Sequence, residues 1–320
     1  MTEPASAQRH GSGPLRSALI VNTNRVEGWE QLRDDITEQL AAAGWPEPAW
    51  FETSAEDPGR GQAEQAVADG AEVVFVCGGD GTVRSAIEGL VGTDAALAVL
   101  PGGTGNLLAA NLDVPTNVPD GVDTAIRRGR RCIDVGEVEG QSFAIMAGMG
   151  LDAAMVDDAP TALKAKAGTI AYVFSALRHA FDSEMLLEVV VDGAPALRRH
   201  ARTILVGNVG RLQGGVNVLP DAEPDSGKMD VAIIAPRNLG HWIQILVGVL
   251  RSRKKLPRVE YLRGEHIVIH AEKSQPRQLD GDVIDAGTTL EVTVRPSALW
   301  VCVHQPDAAD DLAEGGPSSR

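Results

Sequence analysis

The stretch Cys77-Gly78-Gly79-Asp80-Gly81-Thr82-Val83 joins an apolar run, residues 72–77, to a helical pattern over residues 83–90. Glycines at such a junction let the backbone turn tightly and approach a ligand closely. The free N–H groups of the loop, with a helix N-terminus behind them, favour a phosphate group. The stretch therefore predicts a strand–loop–helix unit that binds phosphate, with the hydroxyl of Thr82 as an additional donor.

Asp80 is the unusual member of this loop, because a carboxylate repels a phosphate ligand. Its presence is explained if a divalent cation lies between the two anions, or if it orders water bound to that cation. The alternative is purely structural: a tight turn in which Asp80 serves as the N-cap of the following helix.

A second glycine-rich loop, Pro101-Gly102-Gly103-Thr104-Gly105-Asn106, follows the next apolar run and precedes another helical pattern from Leu107. Two such loops on neighbouring strand ends can face one nucleotide from two sides. Neither loop has the Gly-Lys-Ser/Thr of a Walker loop or the Gly-x-Gly-x-x-Gly of a dinucleotide site. The pair predicts a nucleotide site of another kind.

The first part of the chain alternates between strand-like apolar runs and residues at helical spacing. Residues 18–21, 72–77 and 97–100 are short apolar runs, and Leu32, Ile36 and Leu40 recur at helical spacing. Strands that are apolar on both faces, alternating with helices, predict a parallel sheet covered on both sides. We expect an α/β nucleotide-binding domain over residues 16–136, preceded by a disordered tail, residues 1–15.

The pattern changes after Cys132, where strand-like runs follow one another and are separated by turns rich in Pro, Asp and Gly. These runs are residues 143–147, 185–191, 202–207, 229–234, 265–270 and 289–294. They predict an antiparallel β-rich domain over residues 137–303, interrupted by helices near 170–181 and 239–251. A return of the last strand to the first domain stays open, and residues 304–320 are expected to be a disordered tail.

Composition restricts the function further. The net charge of −15 disfavours general binding to nucleic acid. Cys77, Cys132 and Cys302 are widely spaced, which disfavours a disulfide scaffold or a zinc site, and Cys77 and Cys302 are expected to be small buried residues. No secretory signal and no apolar run long enough to span a bilayer is visible, so we expect a cytoplasmic protein.

With both loops in view, the sequence resembles the diacylglycerol kinase catalytic family, which includes bacterial lipid kinases and sphingosine kinases. Further matching segments follow in the family's order: residues 147–153, 208–210, 214–215, 219–222, 225–231 and 280–282. The resemblance covers about residues 17–300, and its ordered motifs make it specific.

The resemblance implies ATP and Mg2+ as cofactors and a lipid hydroxyl as the acceptor. The implied nucleotide contacts are Asn22, Gly78, Gly79, Asp80, Gly81, Thr82, Gly102, Gly103, Thr104, Gly105 and Asn106. Asp80 and Asp134 match acids of the family's magnesium network. Asp282 matches the family's general base, and its alternative role is that of a turn carboxylate after the hairpin signal Asp280-Gly281.

The sequence departs from the family pattern in three places. The first is the loop after Asn22, which differs although Asn22 itself is retained. Leu107 stands where many bacterial relatives have an Asp, and Asp282 replaces the commoner Glu. Because its side chain is one methylene shorter, Asp282 must sit closer to the acceptor or act through water.

A membrane contact is expected at the basic run of residues 251–258, which follows an apolar segment in an otherwise acidic chain. The pairing suits a transient landing patch on the inner membrane face, where the lipid substrate would be met. A solvated helix end whose cations complement the helix dipole is the alternative. A homodimer stays open.

Several functions remain in competition. The leading one is a kinase for diacylglycerol, with a sphingoid base or another lipid alcohol as alternative acceptors. NAD kinase shares the Gly78–Thr82 motif. A nucleotide-binding regulatory module without catalysis is the third, suggested by Leu107 and the altered loop after Asn22.

Overall fold

A computed structural model describes residues 13–26, 28–102, 106–115, 117–150, 184–212, 217–251 and 255–304. The chain divides into two compact units. The first comprises Met1–Gly103, Leu112–Cys132 and Leu299–Arg320, and the second comprises Thr104–Asn111 and Ile133–Ala298.

The helices within the described ranges are α1 (Trp29–Ala42), α2 (Arg60–Ala68), α3 (Asp80–Leu90), α4 (Leu107–Asn111), α5 (Val118–Ile126) and α6 (Leu239–Leu250). The strands are β1 (Ser17–Val21), β2 (Ala49–Glu52), β3 (Val73–Gly78), β4 (Ala96–Pro101), β5 (Arg130–Val138), β6 (Gln141–Phe143), β7 (Met146–Gly150), β8 (Met185–Val191), β9 (Leu197–Ala201), β10 (Thr203–Gly207), β11 (Met229–Ile234), β12 (Val259–Gly264), β13 (His266–Leu279) and β14 (Asp282–Cys302).

The first unit contains a parallel sheet in the order β2-β1-β3-β4, completed by the end of β14, where Trp300 and Val301 pair with Ala96 and Leu97. Every residue of β1 and β3 is buried. Helices α1 and α5 pack on one side of the sheet through residues such as Leu40 and Val122. This arrangement confirms the predicted α/β class, because strands apolar on both faces need cover on both faces.

The second unit is built from antiparallel pairs, as the turn-separated apolar runs predicted. The main path is β12-β11-β10-β7-β13-β14, with β8 and β9 branching from β13, and β5 pairing with β14 and β6. Its core gathers Phe143, Met149, Met229 and Ile269 with aliphatic side chains from the same strands.

Asp280 explains one difference from the predicted strands. The run of residues 143–147 forms two strands, because the N–H groups of Ala144, Ile145 and Met146 all donate to the Asp280 carboxylate, at 2.9, 2.9 and 2.8 Å. Asp280 is 5% exposed. Its backbone N–H donates to the carbonyl of Met146, and Gly281 follows with φ of 90°. The predicted hairpin turn is confirmed, with Leu279 paired to Asp282.

Helix α6 confirms the predicted helix near 239–251. The sequence patterns missed β2, α2, α5, β5, β9 and β12, which are short or rich in polar residues and carry weak periodicity. Strands β13 and β14 extend well beyond the predicted runs. The predicted helix near 170–181 and most of both predicted tails, residues 1–12 and 305–320, lie outside the described residues.

Replacing Asp280 with alanine should lower the free energy of unfolding by about 3 kcal/mol, because three buried N–H groups would lose a charged acceptor. Asp280→Asn should cost less, since one oxygen remains to accept. Urea unfolding followed by tryptophan fluorescence measures both. The control Asp285→Ala, an exposed carboxylate on β14, should stay within about 0.5 kcal/mol of the wild type. Equal losses in Asp280→Ala and the control would contradict this role.

Candidate active site

The ends of three neighbouring strands in the first unit carry the predicted nucleotide residues. Asn22 follows β1, Gly78 ends β3 and Gly102 follows β4. The register aligns these ends, because Val21 pairs with Cys77 and Gly78 pairs with Pro101. The carboxyl edge of a parallel sheet is where α/β proteins bind ligands.

The two glycine loops touch through their backbones. A Cβ on Gly102 would lie 2.6 Å from the Gly78 nitrogen and 3.0 Å from the Cys77 carbonyl carbon. A Cβ on Gly78 would lie 2.7 Å from that of Thr82. No side chain fits at either position, so the glycines are required by close approach.

Asn22 joins the first strand to this edge. Its Nδ2 donates to the hydroxyl of Thr82 at 3.2 Å, and its backbone N–H donates to the carbonyl of Cys77 at 3.0 Å. The Oδ1 of Asn22 is buried and has no hydrogen-bond partner within the described part of the chain. A buried acceptor of this kind usually has a ligand or water to satisfy it, and a nucleotide hydroxyl is a suitable donor.

Asp80 is the first residue of α3, whose N-cap is Gly79. The structural alternative with Asp80 as N-cap is therefore wrong. The carboxylate occupies the first helical turn, where the helix dipole favours negative charge. The buried Cys77 just before the loop is not a nucleophile, because burial raises the pKa of its thiol to about 11. Burial also raises the pKa of Cys302 to about 12, which confirms both as small buried residues.

The second loop is described only in part. Gly103, Thr104 and Gly105 lie outside the described residues, so their predicted contacts stay predictions. Asn106 has a left-handed backbone with φ of 42°, and Leu107 opens α4. The departure at Leu107 thus falls on the first turn of a five-residue helix.

Asp134 lies on β5 in the second unit and is 1% exposed. Its Oδ2 accepts from the Gly227 N–H at 2.5 Å, and its Oδ1 accepts from the Ser297 N–H at 2.8 Å. Its backbone N–H donates to the Pro224 carbonyl, and its carbonyl accepts from the side chain of Asn208. Asp134 therefore ties together four separate segments of this unit, whatever its part in a metal network.

Asp282 begins β14 at the end of the hairpin turn and is partly exposed. The two acids of the Asp280-Gly281-Asp282 motif therefore have different surroundings. Asp280 is buried and holds the turn, whereas Asp282 remains accessible to solvent. An accessible carboxylate on a fixed turn is a suitable geometry for a general base.

Asp230 was not singled out by the sequence patterns, although it lies in the quoted segment of residues 225–231. Burial raises the pKa of its carboxyl group, Arg263 lowers it in part, and Asp221 and Glu223 raise it further. Its Oδ2 is buried and lies 3.7 Å from the Nε of Arg263. Perturbed carboxyl groups often mark functional sites, but the sequence signal here was only a polar residue in an apolar strand.

The described residues offer some, but not all, of the ligands for a metal ion that arrives bound to a nucleotide. They hold no cluster of three or more histidine, cysteine or carboxylate side chains. Mg2+ at phosphate sites often needs only one or two carboxylates, because substrate oxygens and water complete its shell. Asp80 suits that role, whereas both oxygens of Asp134 already accept backbone hydrogen bonds.

Comparison with known proteins shows a chain of two family domains. Residues 16–138 match the diacylglycerol kinase catalytic domain, and residues 145–303 match the YegS C-terminal NAD kinase beta sandwich-like domain. The class is thus a kinase with an α/β catalytic domain followed by a β-sandwich-like domain.

Relatives along the whole chain establish the family. A probable lipid kinase, YegS-like, of Pseudomonas fluorescens is 32% identical over 306 residues, which are 91% of this chain and 96% of the relative. The diacylglycerol kinase of Bacillus subtilis is 26% identical over 83% of this chain and 89% of its own length. The chain belongs to the diacylglycerol kinase catalytic-domain family of lipid kinases.

Solved structures support the fold. A diacylglycerol kinase from Bacillus anthracis superposes with a TM-score of 0.69 at 19% identity, over 90% of this chain and 97% of that one. An NAD kinase from Archaeoglobus fulgidus, in complex with ATP, superposes with a TM-score of 0.50 at 12% identity, over 90% and 93%. The two kinase types share this architecture.

Gly102→Ala should lower the free energy of unfolding by about 2 kcal/mol, because the new methyl group must push the two loops apart. Nucleotide affinity should fall with it. Gly79→Ala is the matched control for stability alone, since a Cβ there meets no atom within 4 Å, and it should cost less than about 1 kcal/mol. Chemical unfolding and nucleotide titration measure the two effects. A Gly102→Ala protein as stable as the control would refute the contact.

Proposed function

We propose that the protein transfers the γ-phosphate of ATP to the hydroxyl group of a lipid, with diacylglycerol as the first candidate acceptor. The observation that carries this proposal is the direct contact of the two glycine loops at the ends of β3 and β4. Glycine loops at such an edge can offer backbone N–H groups to the phosphate chain of a nucleotide.

Each residue then has a defined task in the proposed reaction. The glycine loops bind and orient the phosphates, while Asn22 positions the Thr82 hydroxyl. Asp282 accepts the proton of the acceptor hydroxyl as its oxygen attacks the γ-phosphorus, and ADP leaves. Mg2+ held at Asp80 would supply neutralisation of phosphate charge.

Diacylglycerol is preferred because a relative similar along most of its length carries that name. A sphingoid base or another lipid alcohol is the next candidate. NAD kinase is favoured only by the shared fold and the Gly78–Thr82 motif. A nucleotide-binding regulator would bind ATP without turnover on any acceptor.

Asp282→Asn and Asp80→Asn should each reduce phosphate transfer by at least about a hundredfold, because the first removes the base and the second removes the metal-side charge. Transfer is measured with radiolabelled ATP and Mg2+ against diacylglycerol, a sphingoid base, NAD and a mixed lipid extract. Asp285→Asn, three residues further along β14 and exposed, is the control and should keep wild-type activity.

The labelled product decides among the acceptors. A labelled lipid that is lost in both variants but not in the control supports the proposal. Labelled NADP would show that the protein is an NAD kinase instead. Equal labelling by the wild type and all variants would contradict the roles assigned to Asp80 and Asp282.

We also propose a transient contact with a lipid surface through α6. None of the described helices has the length and hydrophobicity to cross a bilayer. Helix α6 is nevertheless apolar along most of its length, and Ile243 on it is 53% exposed. Arg251 and Lys255 follow it and are exposed, whereas Arg253 and Lys254 of the predicted landing patch lie outside the described residues. An exposed apolar side chain flanked by cations suits an anionic bilayer surface.

Ile243→Asn should weaken binding to vesicles of phosphatidylglycerol and diacylglycerol about tenfold, because burial of one aliphatic side chain in the bilayer is lost. Co-sedimentation measures the bound fraction. Leu186→Asn is the control, since Leu186 on β8 is another exposed aliphatic side chain, at 37%. Equal binding of both variants would exclude α6 as the contact.

A further inference from the structure

The residues that line a cleft in the second unit include none of those assigned above to phosphate transfer. It has a volume of about 410 Å³, and its basic lining residues are Arg198, Arg199, His200, Arg237 and Arg258. Glu184 and Glu260 are the carboxylates among its walls, and Ile233, Ala235 and Val259 provide an apolar floor. The excess of cations is notable in a chain of net charge −15.

The backbone brings the arginines together. Ile234 at the end of β11 pairs with Val259 at the start of β12, and the Ala235 N–H donates to the Arg258 carbonyl at 3.0 Å. Arg237 and Arg258 therefore stand on adjoining segments. Both side chains are exposed, and neither guanidinium has an acceptor within the part of the chain that the structure describes.

Two ion pairs fix the opposite wall. Arg199 on β9 forms a bidentate pair with Glu260 on β12, at 2.7 and 3.1 Å. Arg198 donates to Glu188 at 2.9 Å. The first pair links β9 to β12 and the second links β9 to β8. Of the four arginines in the lining, Arg237 and Arg258 are therefore the two without an ion pair among the described residues, and Glu184 is the carboxylate that shares the cleft with them.

Arg202 binds the segment that leads from β11 to Arg237 and is also incompletely satisfied. Its backbone N–H donates to the Ile234 carbonyl, and its Nε donates to the Pro236 carbonyl, both at 3.0 Å. Its Nη1 is buried and has no partner within the described residues. A buried donor without an acceptor often marks a position that a ligand or water completes.

We propose that this cleft binds a phosphate group. Guanidinium groups present planar forks of donors, and several of them together match the oxygens of one phosphate. The volume falls in the range of small-ligand sites. The phosphate can be a free anion or part of a phospholipid headgroup, and the apolar floor allows either.

The test compares Arg237→Gln/Arg258→Gln with a control of equal charge change, Arg127→Gln/Lys273→Gln, in the full-length chain. Arg127 and Lys273 are exposed and lie outside the cleft. One arm titrates inorganic phosphate at constant ionic strength and follows the unfolding temperature. The other arm measures flotation with vesicles of phosphatidylcholine alone or mixed with phosphatidylglycerol.

The wild type and the control should bind in at least one arm, and the cleft variant should bind about tenfold more weakly there, since charged hydrogen bonds are lost. A difference in the phosphate arm identifies a free anion, and one confined to phosphatidylglycerol vesicles identifies a headgroup. Cleft variant and control behaving alike in both arms, or a wild type that binds in neither, would overturn the proposal. Unfolding without ligand checks the fold, and no arm depends on kinase activity.

Discussion

The carboxylate of Asp280 is the interaction on which the second unit most depends. Three consecutive N–H groups, from Ala144 to Met146, converge on it while it is almost completely buried. A buried anion with fewer donors would be costly, and buried donors without the anion would be costly too. The turn between β13 and β14 is therefore held against the start of β7, and the accessible Asp282 inherits a fixed position from its buried neighbour.

The strand-end edge of the first unit, where we propose that a nucleotide binds, is limited by space. Gly102 and Gly78 permit two loop backbones to come into contact, and the register of β3 and β4 sets where the loops begin. Asn22 adds a third strand end through its bond to Thr82.

The sequence predicted the features that leave a strong local pattern. The buried strands around Phe75 and Leu100, the glycine loops and the Asp280-Gly281 turn all followed from periodicity or turn chemistry. Long-range pairing left no such signal. The N–H groups that donate to the Asp134 carboxylate belong to Gly227 and Ser297, which are far along the chain. The break between β6 and β7 likewise depends on the distant Asp280. The raised pKa of Asp230 and the arginine cleft likewise depend on which strands become neighbours.

The last strand has a consequence for how the protein is made. β14 begins in the second unit, but its final residues complete the parallel sheet of the first by pairing with Ala96 and Leu97. During synthesis, the parallel sheet of the first unit must wait for nearly the whole chain to leave the ribosome before its outer strand is added. Cutting the chain after Cys132 would leave β4 with an open edge, a row of unpaired backbone groups prone to association. The first unit thus begins the sequence, but its sheet is completed only after the last strand has been synthesised.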